Sequence, residues 1–571
     1  MIALAACFVA LLGFIAFANS FFGDFVLDDV YEIEQNPNMN HLLPPWRAAL
    51  GGRVVPARPL PYYTFAIDTY LWRRNPIGYH IVNIALHLGS ALLLFGIARR
   101  TLLSPKLVER YGRHATTLAL CIATLWVVHP IQTQAVTYVY QRIESMMAFF
   151  FIASFYCFVR SQSSAHEKRW LIGSVACALA SVMCKESGVA IPPLVLLYDV
   201  VFASDSWRDA ARSRYRYYIA LLLTYVPLLA LLAYQSQAYE EFRDPRSALG
   251  YALSQPIVIL RYLELCFYPT EQCLDYLWQM ETKPHRIIGP MLLVGIPFVA
   301  GVVGCLKRRP WGFLIAAFFL PLLPTSSLIP VNDLANEHRM YISLAAVATA
   351  GVLLGFAAYL RLAELTERPK AAAIPFGLTA AFAIVALMCA TNLRNRVYFD
   401  RVGLWEDVVR KAPHNVRALE NLSNACLRTG DAENIARAAD VGRKIISMDR
   451  ANNRGYLALG SALLALDDRE GAIENLSAAV LLNPRGPTAY AHLAAAVRPT
   501  DPQRAAELDA MALARDPDHV VSLVNLANAK ARAADFDGAE QLLRRALEAA
   551  PDDVRVADRL ALVLADKQAS N

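Results

Sequence analysis

Two adjacent carboxylates, Asp28 and Asp29, follow directly on an uncharged stretch running from Ile2 to Phe22. A helix needs about 20 apolar residues to cross roughly 30 Å of hydrocarbon, so Phe25-Val26-Leu27-Asp28-Asp29 belongs at the membrane surface. A carboxylate at that depth can take the proton from a substrate hydroxyl. Four further polar groups stand at the ends of apolar runs: Arg58-Pro59, His129-Pro130 through Arg142 with Glu144, Lys185-Glu186, and Asn332 with Asp333, Glu337, His338 and Arg339. Arginine and lysine at such positions can neutralise a phosphate. A base on one side of an anomeric carbon, with a cation on the departing phosphate at the other, suits glycosyl transfer from a polyprenyl-phosphate sugar. Each residue taken singly also fits a role as helix cap or interfacial anchor. Their convergence on one leaflet is what points to a site.

Those positions are set by a long series of membrane elements. The chain has 571 residues, 56% of them apolar, and a mean hydropathy of +0.33 that averages two unlike parts. Runs of bilayer length occur near 2–22, 80–99, 114–130, 143–160, 170–184, 186–203, 217–235, 250–268, 287–306, 311–330, 339–360 and 374–391. Arg99 to Arg113, Arg160 to Arg169, Arg208 to Arg216, Lys307 to Arg309 and Arg361 to Lys370 form five short basic loops, which the positive-inside rule assigns to the cytoplasm. The same rule accounts for the net charge of +6, so no nucleic-acid partner is implied. The loops are consistent only if one of three runs between 216 and 307 does not cross. The 250–268 run holds Pro256, Arg261 and Glu264, and each charge costs about 2.5–3.5 kcal/mol at the bilayer centre. About 11 spans remain, with Asp28 and Asp29 outside and the C-terminal part outside as well. Ala16-Phe17-Ala18 matches a cleavage site, but the stretch before it lacks a basic start, so a retained helix is expected. The ten cysteines lie mostly in or beside apolar runs and imply no disulfide framework, Cys266 and Cys273 being the one couple that could join outside the membrane. No Cys and His cluster suggests a metal.

From about residue 413 the character changes to amphipathic helices rich in Ala, Leu, Asn and Asp. Pro484, Pro517 and Pro551 are 33 and 34 residues apart. Leu459-Gly460, Ala472 and Ala479 precede Pro484 at the same offsets at which Leu526-Ala527, Ala539 and Ala546 precede Pro551. That is tetratricopeptide spacing, with small residues where paired helices approach. About four repeats and a last helix at 552–566 are expected. Asn421-Leu422-Ser423 and Asn475-Leu476-Ser477 match the N-glycosylation pattern but fall on expected repeat helices. The fold class is therefore all-α: a polytopic membrane bundle over 1–393 and a repeat superhelix over 394–571.

Several motifs in fixed order carry a resemblance. Phe25-Val26-Leu27-Asp28-Asp29, Arg58-Pro59-Leu60, Gly78 to Asn83 with His80 and His87, His129-Pro130, Ala135 to Val139, Arg142, Lys185-Glu186-Ser187-Gly188, and Leu323 to Ser327 with Glu337 and Arg339 resemble the transmembrane-and-tetratricopeptide O-mannosyltransferases and their bacterial relatives, of the C-type glycosyltransferase superfamily. Gln134 stands where that family usually has Glu, and His338 interrupts its usual Glu-Arg pair. The resemblance implies an inverting, metal-independent transferase with no cofactor. It would use a polyprenyl-phosphate monosaccharide on the extracytoplasmic face and modify a protein Ser or Thr recruited by the repeats. It carries the base to Asp28 or Asp29, with Asp29 favoured because an acidic neighbour flanks it, and the donor phosphate to Arg339, Lys185 and Arg142. Arg58, His80, His129, Glu186 and Glu337 are further site candidates. A compact chain suggests a bacterial inner membrane with the repeats in the periplasm. Two other readings compete: the same donor chemistry on a cell-envelope glycan or lipid, and a non-catalytic scaffold whose repeats assemble partners.

Overall fold

The computed structural model describes residues 1–53, 58–238, 245–327, 330–331, 333–550 and 553–570. Asn332 and the repeat proline Pro551 lie outside them. Among the described residues every regular element is helical. Two compact units result, Met1–Glu34 with Asn38–Asp400 and Gln35–Pro37 with Arg401–Asn571.

Among the described residues of the first unit eight helices, from Ile2–Phe22 to Pro369–Tyr398, are long and apolar enough to cross a membrane. A ninth span results if Val108–Val127 and Pro130–Val136, bent by 50°, count as one. Two of the expected crossings are realised as shorter helices. The 170–184 run becomes Glu167–Val182, with 16 residues, or about 24 Å at 1.5 Å per residue. Its end is fixed by Gly188, where an added Cβ would meet Ser181 Oγ at 2.8 Å and the Val182 nitrogen at 3.0 Å, so only glycine lets the chain fold back there. The 311–330 run keeps just 10 residues, Pro310–Phe319. Pro321 and Pro324 follow, and proline cannot continue a helix because it lacks the N–H and clashes with the preceding turn. The 250–268 run forms the helix Pro245–Phe267, which is outside the apolar eight. Its Arg261 pairs with Glu264 at 2.8 Å on an exposed face.

Pro59, Pro76, Pro284, Pro310 and Pro369 each open a helix, the position where the missing N–H is harmless. The Pro76–Leu102 and Arg142–Ser161 helices run side by side. Near their starts His80 meets Gly23 and Arg142 meets Asn83, and near their ends Arg100 stacks on Tyr156 at 5.0 Å. The sequence groups singled out above thus gather at one end of the bundle and the basic loops at the other. At the basic end Asp199 is buried and receives Arg214 at 2.9 Å, Tyr218 at 2.6 Å and Ser204 at 2.7 Å. Cys266 and Cys273 are separate buried thiols.

In the second unit the helices pair as the period requires: Val416–Thr429 with Ala432–Met448, Asn453–Ala465 with Arg469–Leu482, Pro487–Val497 with Pro502–Leu513, Val520–Arg532 with Phe536–Ala549, then Val554–Ser570. Ala472, Ala479, Ala527, Ala539 and Ala546 are fully buried, and a Cβ on Gly460 would lie 2.6 Å from Leu476 Cγ. The second helix of each pair starts at an aspartate cap, Asp431, Asp468, Asp501 or Asp535, whose side chain accepts a first-turn N–H. Asn421 and Asn475 lie on helices, each donating to a carbonyl one turn back.

Candidate active site

The Asp28-Asp29 dipeptide leaves the first membrane helix in a tight turn and meets the segment Tyr138-Val139-Tyr140. Asp29 is fully buried. One of its carboxylate oxygens accepts the Val26 N–H at 2.8 Å and the other the Tyr140 N–H at 2.6 Å. Burial pushes its pKa well above the usual carboxylate value, the two N–H bonds pull it back, and the charges of Asp28 and Asp24 push it further up. Both oxygens of Asp29 are thus committed to backbone. Asp28 is half-buried. Its N–H donates to the Tyr138 hydroxyl at 3.0 Å, and that hydroxyl bonds the Asp28 carboxylate in turn. Burial, then the negative charges of Asp28 and Asp29, holds the Tyr138 phenol protonated. A phenol held beside a partly accessible carboxylate is an arrangement that can orient a general base. Asp28 is the half-buried member of the pair and Asp29 the fully buried one.

A second constellation lies at the same end of the bundle. Arg58 faces Glu186 at 3.7 Å, and Lys185 pairs with Glu144 at 2.7 Å with both side chains buried. Arg58, Lys185 and Arg339 all act electrostatically on Glu186, and all three also act on the imidazole of His338. Burial disfavours the Arg58 charge, but Glu186, Tyr140, Tyr62 and Glu144 outweigh it and raise its pKa. Tyr140 links the two constellations: it lies within Coulombic reach of Arg58 and Asp28 and meets the Tyr62 hydroxyl at 3.1 Å. Glu32, buried and accepting the Arg53 N–H at 2.8 Å, acts on the same tyrosine pair. Nothing in the sequence singled out Glu32, whose partner lies 21 residues away, and Tyr138 showed only as part of the Ala135 to Val139 motif, its partner lying 110 residues away.

Other candidates meet partners within the fold, although the His80 Nδ1 is buried without one. Arg142 is wholly buried with Asp68 at 2.6 Å, Asn83 at 2.7 Å, Thr64 at 3.2 Å and the Tyr79 carbonyl at 3.0 Å, so its guanidinium is fully engaged within the fold. His80 meets the Gly23 carbonyl at 3.3 Å. His129 bonds the Cys266 carbonyl at 2.9 Å and accepts the Ile131 N–H at 3.1 Å, capping the next turn. Glu337 gathers the 272–276 loop, taking Cys273 N–H at 2.7 Å, Tyr276 at 2.6 Å and Gln272 at 2.9 Å. Arg339 spans both roles: its fork donates to the carbonyls of Asp333 at 2.6 Å, Leu334 at 2.9 Å and Thr325 at 3.4 Å.

Tetratricopeptide-repeat family patterns match residues 454–485 and 499–563. Protein O-mannosyl-transferase TMTC4 of Homo sapiens is 30% identical over 213 residues, covering 34% of this chain and 29% of that protein. Protein O-mannosyl-transferase TMTC3 of Mus musculus is 24% identical over 375 residues, covering 57% of this chain and 39% of that protein. Over these stretches the chain is similar to the TMTC O-mannosyl-transferases. Its matches span about a third of the length of those curated relatives. Among solved structures, the archaeal oligosaccharyltransferase AglB of Archaeoglobus fulgidus, in complex with an inhibitory peptide and a dolichol-phosphate, aligns with 74% of this chain and 58% of its own at 12% identity and a TM-score of 0.42.

Gln134 and His338, the two residues that depart from the resembled motifs, touch one another. The Gln134 amide donates to the Leu274 carbonyl at 3.2 Å and its oxygen accepts the His338 N–H at 2.8 Å. A glutamate there could not make the first bond, having no donor when ionised. Gln134 therefore anchors the backbone from which the His338 ring projects.

Proposed function

We propose that the chain is a membrane glycosyltransferase that moves a monosaccharide from a polyprenyl-phosphate donor to a protein Ser or Thr hydroxyl, with inversion, on the extracytoplasmic face. The observation that carries this reading is the half-buried Asp28, held by Tyr138, at the same bundle end as Arg58, Lys185 and Arg339. Homology to named protein O-mannosyl-transferases supports the substrate class.

In the reaction Asp28 accepts the hydroxyl proton while the acceptor oxygen forms its bond to the anomeric carbon. The bond from that carbon to the phosphate oxygen breaks on the opposite face, and its electron pair stays with the phosphate. One displacement inverts the centre. The cations offset the charge left on the phosphate, an interaction that strengthens as the bond breaks and so favours the transition state over the bound donor. The repeats recruit the polypeptide, as concave helical arrays do. The basic loops support an extracytoplasmic side for the repeats.

Mass spectrometry of extracytoplasmic proteins with and without the gene tests the reading. Hexose-bearing Ser or Thr peptides should vanish in the deletion and fail to return with Asp28→Asn, which removes the base for a loss of about 10²- to 10⁴-fold. An unchanged glycoproteome in the deletion, or full rescue by Asp28→Asn, overturns it.

A further inference from the structure

His338 has no hydrogen-bond partner for its ring. The residue is 6% exposed, its Nδ1 is buried without a partner, and its backbone N–H donates to the Gln134 side-chain oxygen. A buried ring nitrogen left unpaired is costly whether it carries the proton or the lone pair. Arg58, Lys185 and Arg339 lie within electrostatic reach of the ring. The Arg58 Nε is likewise buried without a partner. Ser326, beside the Thr325 carbonyl that Arg339 and Tyr251 hold, has an unpartnered buried hydroxyl as well.

A phosphodiester carries one negative charge, and a phosphate monoester above its second pKa, about 6, carries two.

We infer that His338 is a ligand of the leaving phosphate, donating from Nδ1–H to the oxygen released when the glycosyl bond breaks. This rests on the donor class proposed above and adds to it a residue selective for the product state. The balance closes: the acceptor proton goes to Asp28, the bonding pair goes to the phosphate oxygen, and His338 keeps its proton while hydrogen-bonding the new charge. Because that charge exists only as the bond breaks, the contact raises turnover more than donor affinity.

The purified protein in nanodiscs is titrated by calorimetry at pH about 8, where a monoester is dianionic, with a short polyprenyl phosphate and with its methyl diester. Neither probe requires knowing the sugar. Wild type should prefer the monoester. His338→Phe should weaken the monoester by about 10- to 100-fold, the value of a charge-assisted hydrogen bond, and leave the diester nearly unchanged. His338→Asn, whose amide N–H can reach the Nδ1 position, should keep the preference, and His338→Gln should lose it. The Asn and Gln pair decides the matter if the Phe variant does not fold. Equal loss of both probes with a lower melting temperature, or no loss of either, overturns the assignment to His338. A wild type that binds neither probe removes the donor class itself.

Discussion

The Asp29 carboxylate receives the Tyr140 backbone N–H at 2.6 Å across 111 residues of sequence. This bond, with the one from Val26 at 2.8 Å, ties the turn after the first membrane helix to the start of the Arg142–Ser161 helix. It leaves Asp28 as the member of the pair with an accessible side chain. Asp29→Ala should therefore unfold the site. It strands two buried N–H groups at about 1–3 kcal/mol each, lowering the melting temperature and membrane yield, whereas Asp28→Asn should melt as wild type does. Equal melting of Asp29→Ala and wild type would return Asp29 to the list of bases.

The same residue predicts a direction with pH. Its folded pKa lies above the usual 3.8, burial being the main cause. A proton held more tightly in the folded state contributes stability that is whole below the unfolded pKa and is lost as pH rises through the folded one. Measured against Asp29→Asn, which does not titrate there, wild-type stability should decline as pH rises from the unfolded value of 3.8 through the raised folded one. A difference that grows over that range contradicts the assignment.

Arg142 was a plausible phosphate ligand as a lone arginine at a helix start, but Asp68 meets it at 2.6 Å inside the bundle. Breaking a buried pair by removing one partner costs about 3–5 kcal/mol because the other charge is left uncompensated. Arg142→Gln should thus be poorly folded, and Asp68→Asn added to it should restore part of the stability. A double variant no more stable than the single one would show that the pair is not the reason Arg142 is needed.

What could be seen in the sequence was periodic or positional. The repeats showed because small residues recur where helices touch, and the Asp28-Asp29, Lys185-Glu186 and Glu337 to Arg339 groups showed because each interrupts an apolar run. Which of those groups has free hydrogen-bonding capacity depended on partners distant in sequence. Arg142 is satisfied by Thr64, Asp68, Tyr79 and Asn83, and Glu337 by the 272–276 loop. Helix lengths misled for a related reason: hydropathy summed over 311–330 ignores that Pro321 and Pro324 stop the helix at Phe319.

The proposed sidedness predicts a labelling pattern. In a background without native thiols, single cysteines near Lys106 and Arg308, at the basic end of the bundle where the Lys106 ammonium meets the Arg308 carbonyl at 3.4 Å, should resist a membrane-impermeant reagent in intact cells. Cysteines at Thr282 and near Asp535 should react. Labelling of the Arg308 site from outside would invert the orientation.

Arg339 offers the sharpest division between holding a loop and holding a ligand. Its guanidinium nitrogens meet the Asp333, Leu334 and Thr325 carbonyls, and Tyr251, whose hydroxyl donates to Thr325 at 2.5 Å, stands 3.3 Å away. An ammonium is a point charge and cannot span those acceptors as the planar fork does. Arg339→Lys should therefore keep the charge near Glu186 yet loosen the backbone. Hydrogen exchange at Leu334 to Asn336 should quicken, and donor affinity should fall with it. Arg339→Ala should lose about 10- to 100-fold in affinity, as expected for charge-assisted bonds. If affinity falls while exchange at Leu334 to Asn336 stays at the wild-type rate, Arg339 grips the phosphate directly. If exchange quickens while affinity holds, the residue belongs to the loop alone.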